Sequence, residues 1–96
     1  MRPSEALEKH RDAVLAILAR YPVSNPRIFG STARGEDVEG SDVDILVDRE
    51  GSVSLFDLAR LEIELEKLLS VPVGVHTPGD FGPEATARIA ADRRAL

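Results

Sequence analysis

Phe29-Gly30-Ser31-Thr32-Ala33-Arg34-Gly35, followed after a short spacer by Ser41-Asp42-Val43-Asp44-Ile45-Leu46-Val47, joins an apolar strand end to a glycine-rich loop and a second strand bearing two aspartates. Gly30-Ser31 after a strand lets backbone approach a ligand closely and aims N–H groups and the Ser31 hydroxyl at an anion. Arg34, one turn further on, adds a planar charged fork suited to phosphate. Asp42 and Asp44 are two residues apart on a β-branched strand, so both carboxylates project from one face. Paired carboxylates repel unless a cation lies between them. A hard cation such as Mg²⁺, shared with substrate phosphates, accounts for the pair.

The elements around this segment follow from periodicity. Leu7, Val14, Ile17, Leu18 and Tyr21 recur at helical spacing, predicting a helix from Ser4 to Tyr21 that Ser4 caps and Pro22 ends. Pro26 to Phe29 reads as a short strand, residues 30–41 as a loop with one helical turn, and Val43 to Val47 as a central strand. Ser54 and Asp57 have capping-box spacing ahead of Leu58, Leu61, Leu65, Leu68 and Leu69, with Glu62, Glu64 and Glu66 expected outward. Val71 to Val75 forms a third strand, with Pro72 near its start. Pro83 opens a last helix through Ile89. The expected fold is α/β of the α+β type, in the order α-β-β-α-β-α: a small mixed three-stranded sheet covered by helices, in one domain spanning residues 1–96.

Composition narrows the function. No apolar run in the 96 residues approaches the roughly 20 needed to span a bilayer, and the first residues lack the apolar core of a signal peptide, so a cytoplasmic location is expected. Cysteine is absent, which excludes disulfides and thiolate metal sites. A net charge of −5 argues against a general nucleic-acid-binding surface, although ten of the twelve basic residues are arginine. The aromatic residues Tyr21, Phe29, Phe56 and Phe81 are too few for a base-stacking platform. Leu55, Phe56 and Phe81 lie near element boundaries, where core burial is their expected state.

The stretch FGSTARGEDVEGSDVDILV, residues 29–47, resembles the signature of the DNA polymerase β-like nucleotidyltransferases: a Gly-Ser pair, a spacer of some ten residues and an Asp-x-Asp on the next strand. Its Gly-Ser-x-Ala-Arg-Gly form and the short chain are similar to the minimal nucleotidyltransferases, the MNT proteins. The resemblance covers essentially the whole chain. It implies metal-dependent transfer of a nucleoside monophosphate from a nucleoside triphosphate, with ATP expected, to a protein or RNA acceptor. It assigns phosphate contacts to Gly30, Ser31 and Arg34, and one or two Mg²⁺ ions to Asp42 and Asp44. It further implies a HEPN-type helical protein as partner, in a toxin–antitoxin pair.

The chain departs from that pattern at one point. Where the resemblance places a third carboxylate on the next strand, the segment Val73-Gly74-Val75-His76-Thr77-Pro78 has Gly74. Losing a positioned general base costs ~10²–10⁴ in rate. His76, on the same strand face by period two, is the best stand-in, ahead of Asp48, Asp80 and Glu84. The departure keeps open a second function: an antitoxin module, catalytically weak or inactive, that masks its partner by contact. One subunit of a larger transferase is a third.

Overall fold

Alternation along the central strand sets the two faces of the sheet. In the computed structural model, which describes residues 1–96, Val43, Ile45 and Val47 are fully buried on one face, whereas Asp44 and Asp48 emerge half-buried on the other. The chain runs α1 (Pro3–Lys9), α2 (Arg11–Leu18), β1 (Val23–Phe29), α3 (Gly30–Arg34), β2 (Val43–Arg49), α4 (Leu55–Leu69), β3 (Val73–His76), a 3₁₀ turn (Pro78–Asp80), α5 (Pro83–Asp92) and β4 (Arg94–Ala95). The sheet order is β3-β2-β1-β4, with β2 and β3 parallel and the other pairs antiparallel. The mixed α/β architecture expected from the sequence is therefore present, with four strands where three were expected. The additional β4 pairs Arg27 with Ala95 and Ile28 with Arg94. Two exposed residues carry no strand periodicity, and this pairing arises only when α5 returns the chain to β1.

The N-terminal helix is broken where one run was expected. His10, at φ −109° and ψ 18°, separates α1 from α2, and Tyr21 lies beyond the helical residues. Ser4 is not the cap: Pro3 opens α1, and the Ser4 N–H donates to Asp37 Oδ2 at 2.8 Å. β1 starts at Val23, three residues before the expected Pro26. Asn25, at φ 50°, forms a bulge that shifts the register between Ser24 and Arg27.

Helix α4 closes the apolar face. Leu58, Leu61, Leu65 and Leu69 pack with Val14, Leu18, Val43, Ile45, Val47, Val73 and Val75 in one cluster. Its start is capped reciprocally, Asp57 N–H donating to Ser54 Oγ at 3.1 Å and Ser54 N–H to Asp57 Oδ2 at 3.0 Å. Leu68 is half-buried at the margin of that cluster. Of the glutamates expected mostly outward, Glu66 is exposed and Glu62 and Glu64 are half-buried, and all three accept hydrogen bonds. Glu62 accepts the Val75 N–H at 2.9 Å and Glu66 accepts the Val73 N–H at 3.1 Å. Spaced four apart on one helical face, they satisfy donors that the sheet edge leaves unpaired. Glu64 accepts from Arg20 at 2.7 Å and from the Tyr21 hydroxyl. At the start of α4, Leu55 and Phe56 are 76% and 83% exposed, contrary to the expected burial, because both point away from the Leu58–Leu61–Leu65 stripe. Phe81 is half-buried.

Candidate active site

The face of the sheet opposite the main core carries the residues singled out by sequence. Cross-strand register places Phe29 opposite Asp44, and Asp44 opposite Gly74. The next row on this face pairs Arg27 with Leu46, and Leu46 with His76. Phe29, Leu46 and Ile89 form a small apolar cluster here, with Phe81 against it. A carboxylate, an imidazole and three aromatic or aliphatic anchors thus share one surface.

Gly30 starts α3 directly after β1, at φ +74°, a backbone conformation that favours glycine. A Cβ at this position would lie 3.1 Å from Asp44 Oδ2. On the other side, a Cβ at Gly74 would lie 3.3 Å from Asp44 Oδ1 and 2.8 Å from His76 Nε2. The Asp44 carboxylate therefore sits between two glycines. Each clears space that a side chain would fill, and loop backbone and carboxylate come within reach of a single ligand.

Asp42, expected on the strand with Asp44, instead immediately precedes β2, outside the strand's pleat, and is exposed. Its carbonyl accepts the buried Thr32 hydroxyl at 3.1 Å, which ties α3 to the segment entering β2. Ser31 is the second residue of α3 and is half-buried. Gly35, at φ +72°, ends α3 in the left-handed conformation. Arg34 is half-exposed: its Nε donates to Glu36 at 2.7 Å and its Nη1 to Asp92 at 2.7 Å. The Asp92 and then the Glu36 hydrogen bonds raise the Arg34 pKa above its usual value. Arg34 thus pins α3 to α5, and in this arrangement its fork is committed to carboxylates. A cavity of about 220 Å³ opens beside it, lined by Phe29, Gly30, Arg34, Phe81, Arg88 and Ile89 among others.

His76 faces Asp44. Its Nε2 is 3.5 Å from Asp44 Oδ1, at the outer limit of a hydrogen bond, and both side chains are about one-third exposed. The imidazole packs edge-on to Phe29 at 5.6 Å and lies 5.3 Å from Phe81, ring centre to ring centre. The Asp44 contact is the main cause of a raised His76 pKa. Burial opposes it, and the charges of Asp44, Asp80 and Glu62 add to it. Of the other stand-ins, Asp48 binds Arg27 at 3.1 Å, and Asp80 caps its own turn by accepting the Thr77 N–H at 2.8 Å.

Two residues in this region escaped the sequence reading. Thr32 is one; Asp37, 2% exposed, is the other. Asp37 anchors the loop between the glycine and aspartate motifs to the first turn of α1, and its Oδ1 has no hydrogen-bond partner. Burial is the largest single influence and raises its pKa, but the hydrogen bonds from Ser4 and from its own backbone, with the charge of Arg2, together hold the group below the usual carboxylate value. A lone acid in a polar loop gives no periodic signal, so only the fold reveals its role.

No group of three or more His, Cys, Asp or Glu side chains is arranged to enclose a metal. Two carboxylates without a protein cage suit Mg²⁺, which keeps waters and takes its remaining oxygens from phosphates. Gly30 and Gly74 keep their own side chains off the Asp44 carboxylate, and the His76 ring occupies the space over Gly74.

Comparison with known proteins agrees with this geometry. A nucleotidyltransferase domain profile matches residues 7–96. A Methanocaldococcus jannaschii protein that carries the name protein adenylyltransferase is 43% identical over 76 residues, 79% of this chain and 82% of that protein. The protein adenylyltransferase MntA of Thermococcus cleftensis is 50% identical over 54 residues, 56% of this chain and 54% of that protein. A solved structure described as a minimal nucleotidyltransferase superposes with a TM-score of 0.84 at 39% identity, covering 97% of this chain and 95% of the other. A toxin–antitoxin structure with AMP-PNP shares the fold at 16% identity, with a TM-score of 0.76 over 88% of this chain and 69% of that one. No helix is long and apolar enough to cross a membrane. By the extent of the profile match and by the identity of its relatives, this chain belongs to the nucleotidyltransferase domain family and is an enzyme of that class.

Proposed function

We propose that the chain transfers AMP from ATP to a hydroxyl of a protein acceptor, as the MNT-type partner of a HEPN-type helical toxin. The carrying observation is the placement of the Asp44 carboxylate between Gly30 and Gly74, with Oδ2 3.1 Å from the space that a Gly30 Cβ would take. Gly30 and Ser31 present backbone and hydroxyl to the β- and γ-phosphates, and Arg34 shifts from its carboxylates to add charge. Asp42 and Asp44 hold one or two Mg²⁺ ions. The metal, when bound, neutralises charge developing on the phosphates. The acceptor oxygen bonds to the α-phosphorus as its hydroxyl proton passes to solvent, the bond from the α-phosphorus to the bridging oxygen breaks, and pyrophosphate leaves. Two relatives that carry the name protein adenylyltransferase support AMP and a protein acceptor. The exposed Leu55 and Phe56 offer apolar contacts to a helical partner.

A second reading, a contact antitoxin with weak transfer, is favoured by Gly74, which leaves no carboxylate on β3 beside Asp44. Mass spectrometry of a co-purified helical partner after incubation with MgATP separates the two. Gain of AMP, lost with Asp42→Asn or Asp44→Asn, supports transfer. Full neutralisation of the partner by both variants, without any AMP gain in wild type, supports contact alone.

A further inference from the structure

We propose that His76 is a metal ligand of this site, and that its nitrogen makes the site prefer Mn²⁺ over Mg²⁺. The inference rests on the assignment of Asp44 as a cation ligand made above. Gly74 leaves a gap beside Asp44 Oδ1, and the His76 ring folds back along β3 to fill it, with Nε2 only 2.8 Å from where a Cβ at position 74 would be. The ring is braced by Phe29 at 5.6 Å and Phe81 at 5.3 Å, which fixes the nitrogen toward the carboxylate. The two aromatic rings also contact each other, at 5.8 Å, so the brace is a closed triangle. Nε2 and Oδ1 are 3.5 Å apart. Two donors each about 2.1 Å from one cation are separated by about 3.0–3.5 Å when the angle between them is about 90–110°. The pair therefore spans a distance that one ion bridges with little movement.

Donor chemistry then sets the preference. Carboxylates alone suit Mg²⁺, whereas an imidazole nitrogen favours borderline first-row ions, and Mn²⁺ accepts both donor types in the octahedral geometry that phosphates require. Restoring a carboxylate at position 74 has the opposite effect. A Cβ at position 74 meets His76 Nε2 at 2.8 Å and Asp44 Oδ1 at 3.3 Å, so a Gly74→Asp side chain needs the ring removed and a small shift of the Asp44 carboxylate.

The test is electron paramagnetic resonance of Mn²⁺ added to the whole chain with a non-hydrolysable ATP analogue. Pulsed measurements on protein labelled with ¹⁵N-histidine read directly bound imidazole and separate it from adenine nitrogen. The expected result is a histidine nitrogen coupling that survives His10→Ala and disappears in His76→Ala. In His76→Ala, Mn²⁺ affinity relative to Mg²⁺ falls at least about tenfold. Gly74→Asp combined with His76→Ala shifts the ratio further toward Mg²⁺. Mn²⁺ binding that depends on Asp44, but shows no histidine coupling and no change of ratio in His76→Ala, overturns the role of His76 and leaves the carboxylate site standing. No Mn²⁺ binding by folded wild-type protein overturns both.

Discussion

The two faces of one sheet have opposite designs. On one, Val43, Ile45, Val47, Val73 and Val75 are buried beneath α2 and α4 in a continuous apolar cluster. On the other, the alternate residues of the same strands are Asp44, Leu46, Gly74 and His76, and the buried apolar cluster shrinks to Phe29, Leu46 and Ile89. Period-two alternation thus sends neighbouring residues to stability and to chemistry. Glycine on the second face keeps side chains out of a space that the first face would fill.

Substitutions on the two faces should therefore separate. The largest effect is expected from Asp44→Asn: nucleotide transfer falls on the order of 10³-fold, several kcal/mol of lost charge stabilisation, while the urea midpoint stays near wild type. A comparable loss of stability would break the division. One residue away, Ile45→Ala is expected to lower unfolding free energy by about 2–5 kcal/mol in urea titrations, since the side chain is fully buried. At a temperature where this variant remains folded, its nucleotide affinity should match wild type.

How much of this was readable beforehand also divides by face. Val43 to Val47 and the Leu58–Leu61–Leu65–Leu69 stripe announced themselves by period, and both occupy the core as expected. The glycine and aspartate motifs were visible because their spacing is specific, and register brings Gly30 and Asp44 together. Features that depend on chain return or on a single side chain were not visible. β4 exists only by pairing with β1, Asp37 reaches across to Ser4, and Glu62 and Glu66 reach to N–H groups at the β3 edge. His76 had parity as its only signal. Its contact with Asp44 follows from the gap at Gly74.

Smaller effects sharpen the comparison away from the site. Ser54→Ala removes half of the α4 capping box and is expected to lower stability by about 1 kcal/mol, with nucleotide binding unchanged. Asp37 supplies a pH signature. Its folded pKa is depressed, so its contribution is present above the ordinary carboxylate value near ~3.9 and is lost as pH falls through the lower folded value. The stability difference between wild type and Asp37→Asn should accordingly be constant near neutrality and shrink on acidification below about pH 4. A difference that grows with acid would contradict the depressed value.

The loop and the carboxylates are held to form a single metal-dependent nucleotide site, and NMR titration of the wild-type protein with MgATP, with and without EDTA, tests this most directly. Saturable shifts centred on Gly30, Ser31 and Asp44 that vanish with EDTA are the predicted result. Absence of any shift in folded protein, or shifts at those residues that persist unchanged in EDTA, would contradict it.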